Sequence, residues 1–116
     1  MEQQRMEEIR AHIRSDAIVK KINPEKQSKH IKESIGYIAG RSYLLPSVDA
    51  QELVDKFHGT GHIAQSGGIW KNKETIAANF DIGIEVDIES GMETITNRFT
   101  IHYSKTGTHI VPSKRR

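Results

Sequence analysis

Polar and apolar residues alternate along the last quarter of the chain, between residues 98 and 112. Alternation with period two is typical of β-strands, and a polar, glycine-containing stretch at 104–107 interrupts it. The pattern therefore predicts a strand, a tight turn and a second strand. Because successive side chains of a strand point to opposite faces, the first strand has an apolar row, Phe99, Ile101 and Tyr103, and a polar row, Arg98, Thr100, His102 and Ser104.

The length of this turn decides which residues meet across the two strands. A four-residue loop at 104–107 pairs Tyr103 with Thr108 and places His102 directly opposite His109, whereas a three-residue loop breaks that pairing. With the longer loop, two imidazoles lie side by side on the polar face.

A second alternating stretch occupies residues 80–89, and Ser90-Gly91 after it has the composition of a tight turn. Such a turn pairs Glu89 with Met92, and it places Glu85 diagonally across from Arg98. We therefore expect residues 80–112 to form a three-stranded antiparallel meander.

The first half of the chain is predicted to be mainly helical. Apolar residues at helical spacing predict a helix over 2–20, and Asn23-Pro24 ends it before a polar connector at 23–29. A second helix is predicted over 47–57, with either Ser47 or Asp49 as its cap, and Asp49 and Glu52 have the spacing of a capping box. Residues 30–46 are expected to be irregular, with short strands or turns.

This order of elements predicts an α+β fold. N-terminal helices should pack on one face of a roughly four-stranded antiparallel sheet, and the other face should stay open. We divide the chain into residues 1–27, an N-terminal helix and linker, and residues 28–116, the α+β domain.

Composition narrows the chemistry. The 116 residues include no cysteine, which excludes disulfides, thiolate zinc sites and a thiol nucleophile. No apolar run is long enough to cross a membrane, and no signal peptide is recognisable. The net charge is only +2, but residues 20–32 are rich in lysine, residues 81–93 are acidic, and no acid follows residue 98. A basic side of this kind suits a phosphate-bearing ligand.

The polar face of the C-terminal strands offers a cation, hydroxyls and imidazoles close together. Such a set could cleave RNA without a metal ion, with one group taking the 2′-hydroxyl proton, another protonating the leaving oxygen and a cation stabilising the phosphorane. The alternative is a solvated sheet face with no chemistry. His30, in a basic context, is either a second catalytic group or a surface residue. No cofactor or metal site is expected, because the glycines between His58 and His62 disfavour a helix there.

Several blocks of the sequence resemble one family of bacterial toxins. They are Lys29-His30-Ile31, Gly40-Arg41-Ser42-Tyr43-Leu44-Leu45, Gln51-Glu52-Leu53-Val54, Gly59-Thr60-Gly61, Trp70-x-Asn72-Lys73-Glu74, and the stretch from Arg98 through His102-Tyr103-Ser104-Lys105 to His109 and Pro112. Together they resemble the type 50 polymorphic-toxin domain over roughly residues 28–113. The resemblance implies a ribonuclease toxin, of a family found at the C-termini of phage head-morphogenesis proteins and of delivered bacterial toxins.

From the sheet face and the resemblance we predict two sets of site residues. The catalytic set is His30, Arg98, His102, Ser104, Lys105 and His109. The substrate-binding set is Lys32, Arg41, Ser42, Thr60, Tyr103 and Thr108.

Two functions follow as hypotheses. The first is an RNA-cleaving toxin that acts in the cytoplasm of a target bacterium, is associated with a phage virion before delivery, and has a cognate immunity protein. The second is a non-catalytic module, bound to the phage head or to nucleic acid. The order of helices and strands is similar to that of barnase-like and RelE-like ribonuclease toxins, a likeness at the level of fold only.

Overall fold

The structure is a computed structural model that describes residues 2–115. Its three helices are α1 (Glu2–Arg14), α2 (Pro24–Ser28) and α3 (Ala50–Phe57). Its seven strands are β1 (Tyr43–Leu44), β2 (His62–Ser66), β3 (Ile69–Ala77), β4 (Gly83–Val86), β5 (Glu93–Thr96), β6 (Arg98–His102) and β7 (His109–Ser113). No helix within residues 2–115 has the length and hydrophobicity needed to cross a membrane.

The strands form two antiparallel sheets. The larger has the order β2-β3-β6-β7, and the smaller has the order β1-β4-β5. One core lies between the larger sheet and the helices, and it contains Ile13, Val54, Phe99 and Ile110, all fully buried. The predicted α+β fold, with helices on one face of a four-stranded antiparallel sheet, is confirmed.

The helices of the first half of the chain agree with the prediction only in part. Helix α3 begins at Ala50, three residues after the predicted start, and Asp49 is its cap, since its carboxylate accepts hydrogen bonds from the backbone N–H groups of Gln51 and Glu52. Helix α1 ends at Arg14, six residues before the predicted end. The polar connector predicted at 23–29 is wrong, because Asn23 caps a new helix whose first residue is Pro24.

Helix α1 contributes to the same core as the sheet. Its Ile9 and Ile13 are buried among the core residues. Helix α2 includes residues 27 and 28, the two residues on either side of the predicted division of the chain. The division of the chain at residue 27 stays a prediction.

The predicted three-stranded meander at 80–112 is wrong, because the chain changes sheets at Asn97. Strand β5 belongs to the smaller sheet and β6 to the larger. At the junction, Asn97 exchanges hydrogen bonds with the backbone of Ala78, and the Thr96 hydroxyl donates to the Ser113 carbonyl. These bonds attach the junction to β3 and β7, so that Glu85 and Arg98 lie in different sheets.

The β4–β5 register differs from the prediction by two residues. Glu85 lies opposite Thr94, and Val86 lies opposite Glu93. The connection is longer than Ser90-Gly91, because the Asp87 carboxylate accepts the N–H groups of Glu89 and Ser90 and so folds residues 87–92 into a loop.

The pairing of β6 with β7 agrees with the prediction. His102 lies opposite His109, as a four-residue loop requires. Phe99, Ile101 and Tyr103 are buried, whereas Arg98, Thr100 and His102 are half-buried on the other side of the strand. The open face of the larger sheet therefore carries the expected polar row.

Candidate histidine site

A row of three side chains crosses the open face at one end of the larger sheet. Lys73 on β3 lies opposite His102 on β6, and His102 lies opposite His109 on β7. The imidazoles of His102 and His109 are stacked, with ring centroids 4.7 Å apart and an angle of 20° between their planes. Regular antiparallel register produces this row, because residues directly opposite one another share a face.

His30 is the third imidazole, and it reaches the row from a distant part of the sequence. Its ring lies 6.0 Å from that of His109 with an interplanar angle of 10°, so that His109 is stacked between His30 and His102. His30 is only 5% exposed, and its Nδ1 lies 2.8 Å from the carbonyl oxygen of Ser42.

The segment that carries His30 is attached to the beginning of β7. The N–H of Asn23 donates to the Thr108 carbonyl, and the N–H of Thr108 donates to the Lys21 carbonyl. The buried amide of Gln27 then pairs with both backbone groups of Ile110, at 3.0 and 2.7 Å. The Gln27 side chain thus forms the hydrogen bonds that a neighbouring strand would form with β7. His30, three residues after Gln27, lies beside His109, the residue before Ile110 on β7.

The three imidazoles resist protonation. Burial, followed by the charges of Lys73 and His30, lowers the pKa of His102 from 6.5 to about 4. Burial also lowers the pKa of His109 to about 4, assisted by the other two histidines and by Lys26 and Lys29.

The pKa of His30 is lowered as well. Burial is the main cause, the hydrogen bond to Ser42 opposes it, and the charges of Arg41 and Lys29 add to it. All three rings are therefore mainly neutral at pH 7, and a proton on one ring disfavours a proton on the next.

This arrangement has two chemical consequences. A neutral imidazole is a proton acceptor, so the cluster contains bases at neutral pH. The surrounding cations attract a phosphate group, and the negative charge of a bound phosphate would favour protonation of one ring while a second stays neutral. The cluster can thus hold an acid and a base side by side when an anion occupies it.

Arg98 and Thr100 lie on the same face but further along β6. With Thr75, Ser113 and Arg115 among the other lining residues, they surround a cavity of about 610 Å³. Arg98 is four residues from His102 along the strand, a distance of about 13 Å. Lys73, rather than Arg98, is thus the cation beside His102.

The turn after β6 separates the remaining residues of the predicted catalytic set. The Ser104 hydroxyl donates to the Gly107 carbonyl at 2.7 Å and accepts from Lys26 Nζ at 2.9 Å. Lys105 is exposed and lines two cavities with residues 17–25, on the side of the turn toward the end of α1. Neither the Ser104 side chain nor the Lys105 side chain is part of the stack of His30, His109 and His102.

Two residues predicted to bind substrate have structural contacts. Tyr103 is buried and donates its hydroxyl proton to Glu74, and burial together with that carboxylate raises the pKa of Tyr103 far above its usual range. Thr108 is fully buried, and its hydroxyl donates to the His102 carbonyl at 2.8 Å. Thr108 therefore fixes the backbone of the catalytic candidate His102.

The other predicted binding residues are distributed over the surface. The Ser42 hydroxyl accepts from the N–H of Val86, and the Thr60 hydroxyl donates to the Phe57 carbonyl at the end of α3. Lys32 is exposed and lies over the ring of Tyr43 at 4.8 Å. Arg41, also exposed, is close enough to His30 to lower its pKa.

Sequence reasoning did not assign a role to Lys73, Gln27 or Glu74. The sequence gives no signal for Lys73, because its place beside His102 depends on the pairing of β3 with β6. Gln27 and Glu74 have none, since each is a polar residue that is fully buried with backbone partners far away in the sequence. Glu74 accepts three hydrogen bonds, from the N–H groups of Gly59 and Gly61 and from the Tyr103 hydroxyl.

Within residues 2–115, no group of three or more His, Cys, Asp or Glu side chains is arranged to hold a metal ion.

The fold and the site define a small α+β domain whose open sheet face carries stacked imidazoles beside cations. A family model described as bacterial toxin 50 matches residues 22–112, more than three quarters of the chain. The chain therefore belongs to the bacterial toxin 50 family, as the motif resemblance implied. No curated protein matches the sequence.

Proposed function

We propose that this toxin domain is a ribonuclease that cleaves RNA by acid–base transphosphorylation without a metal ion. The observation that supports it is the stacked pair of His102 and His109 on an open, cationic sheet face. Membership of a toxin family is consistent with an activity that damages a cell, and the cytoplasm of a target bacterium is where RNA would be met. An immunity protein of the producing cell is the expected partner.

The reaction proceeds by attack of the ribose 2′-oxygen on the adjacent phosphorus. A base takes the 2′-hydroxyl proton as the new O–P bond forms, and an acid gives a proton to the 5′-oxygen as its bond to phosphorus breaks. The products are a 2′,3′-cyclic phosphate and a free 5′-hydroxyl, with no net change in protons. Two imidazoles suit these two steps, because the unperturbed pKa of an imidazole lies closest to neutrality among side chains and a bound phosphate would raise the lowered pKa values of His102 and His109 toward it.

We assign the two proton transfers to His102 and His109. Both rings are half-buried, so each has an edge exposed to a ligand, whereas His30 is 5% exposed behind His109. His30 is a positioning residue in this proposal, held by Ser42 and stacked against His109. Lys73, beside His102, stabilises the charge of the phosphorane.

The test is cleavage of a fluorescently labelled RNA of mixed sequence by the purified protein in the presence of EDTA. His102→Ala and His109→Ala should each lower the rate by about 10²–10⁴-fold, which is typical for loss of a proton-transfer group. His12→Ala is the matched control, because His12 is an exposed histidine of α1 that contacts Trp70. Its rate should equal that of the wild type.

Three results would contradict the proposal: full activity of a folded His102→Ala variant, activity that depends on an added divalent ion, or equal cleavage of DNA. DNA lacks the 2′-hydroxyl, so its cleavage needs a different reaction.

A non-catalytic nucleic-acid-binding module is the second candidate. The low pKa values of His102 and His109 favour it, because they leave the unliganded cluster without a protonated acid at pH 7. RNA binding without any cleavage, with affinity reduced by loss of Lys73, would support this alternative.

A further inference from the structure

We propose that the cavity between Arg98 and Arg115 is a second phosphate subsite, which binds the backbone of the same RNA strand whose scissile phosphate lies at the histidines. The inference rests on the proposed function, since it takes the histidine cluster as the first phosphate position.

The two positions lie on the same open face of the larger sheet and are connected by the polar side chains of β6; Val111 and Ala77 are apolar residues beside this polar row. The open face of the larger sheet has three consecutive rows of side chains, two residues apart along each strand. Lys73, His102 and His109 form the first, and Thr75 and Thr100 belong to the second. Arg98 and Ser113 belong to the third. An extended strand of nucleic acid that lies along β6 passes over all three rows.

The cavity has the donors that a phosphate needs. Arg98 and Lys114 line it, and within residues 2–115 neither forms an ion pair. The hydroxyls of Thr100 and Ser113 also line it, and they are hydrogen-bonded to each other at 2.7 Å, so one of the two at most can donate to a ligand. Of the three cations, Arg115 is paired with Asp81 at 2.7 Å, and Lys114 is close enough to Asp87 to contribute to the lowered pKa of that carboxyl, so Arg98 and, in part, Lys114 remain for an anion. A planar guanidinium beside hydroxyl donors is a common way to bind phosphate oxygens.

The separation of the subsites determines how long the ligand must be. The first and third rows are about 13 Å apart, from four residues of strand at about 3.3 Å each. A dinucleotide has one internucleotide phosphate, so it occupies one subsite only. A hexanucleotide has five, and even at the stacked rise of about 3.4 Å per nucleotide it spans the distance.

The test measures binding of 2′-O-methyl RNA, which cannot be cleaved through its 2′-oxygen. Dissociation constants for a dinucleotide and a hexanucleotide are compared for the wild type, Arg98→Ala and Lys114→Ala. Each variant should weaken hexanucleotide binding about tenfold more than dinucleotide binding. Each should also reduce the slope of log affinity against log salt for the hexanucleotide by about 0.7, the value for one single-strand phosphate contact.

Arg5→Ala is the control, because it removes one positive charge from helix α1, whose buried residues pack on the core side of the sheet. It should change neither affinity. Equal losses for both ligands, or no loss for either, would overturn the inference. The assay does not depend on cleavage. If the protein does not cleave RNA, yet Arg98→Ala and Lys114→Ala weaken hexanucleotide binding more than dinucleotide binding, the ribonuclease proposal is refuted and the subsite is supported.

Discussion

Replacing Glu74 by glutamine should destabilise the fold without changing its shape. Glu74 is fully buried, and all three of its hydrogen-bond partners are donors: the N–H of Gly59 at 2.7 Å, the N–H of Gly61 at 3.0 Å and the hydroxyl of Tyr103 at 2.5 Å. A glutamine has nearly the same volume, but it has one acceptor oxygen and an amide group that only donates.

The cost follows from these contacts. The NH₂ group of the introduced glutamine would face one N–H donor, and a buried donor left without a partner costs about 1–3 kcal/mol. The two hydrogen bonds to the remaining oxygen would lose the contribution of a charged acceptor, about 1 kcal/mol each. Against this, an amide is less costly to bury than a carboxylate, so we expect a net loss of about 2–4 kcal/mol.

The measurement is urea denaturation followed by tryptophan fluorescence, since the single tryptophan, Trp70, lies beside Tyr103. Glu89→Gln is the matched control, an exposed position where the same change should stay within about 0.5 kcal/mol. A double-mutant cycle with Tyr103→Phe should show a coupling of about 0.5–3 kcal/mol. A Glu74→Gln variant as stable as the wild type, or an additive double mutant, would refute this account of the buried carboxylate.

Two further predictions concern acid and a glycine. The pKa values of His102 and His109 in the folded protein lie below those in the unfolded chain, so the stability that the two neutral rings contribute is complete above pH 6.5 and is lost as the pH falls toward 4. The urea midpoint should therefore fall over this range. It should fall less steeply in a variant that carries both His102→Gln and His109→Gln. Equal slopes for the two proteins would contradict the lowered pKa values. Gly61→Ala should lower the melting temperature by several degrees, because a Cβ there would overlap the Thr75 carbonyl oxygen. Gly67→Ala is the control and should have a smaller effect, because Gly67 lies in an open turn with positive φ. The reverse order of the two melting temperatures in a thermal scan would count against this packing.

Local rules account for the parts of the site that were predictable. The alternation along β6 determines which side chains are buried, and a four-residue loop determines that His102 meets His109. Both depend on residues within about a dozen positions of one another. The Asp49 cap of α3 is likewise readable, because a carboxylate two residues before a free N–H can satisfy it directly.

The same local rules fail where a strand changes its partners. Ile95 and Phe99 keep the period of two on either side of Asn97, a polar residue at an apolar position, and the chain leaves one sheet there and joins another. Period two describes which residues share a face, and it contains no information about which strand lies alongside. The polar residues that decided the outcome, Thr96 and Asn97, do so through bonds to Ser113 and Ala78.

By itself, then, the sequence determined the family, the α+β class and the stacked pair of histidines, since motifs, periodicity and turn length are properties of neighbouring residues. Tertiary structure alone brought His30 to that pair, through the pairing of Gln27 with Ile110, and placed Lys73 beside His102. It also buried Glu74 under a glycine loop. These contacts join residues 13 to 83 positions apart, and they exist because buried polar groups must find partners wherever the packed core places them.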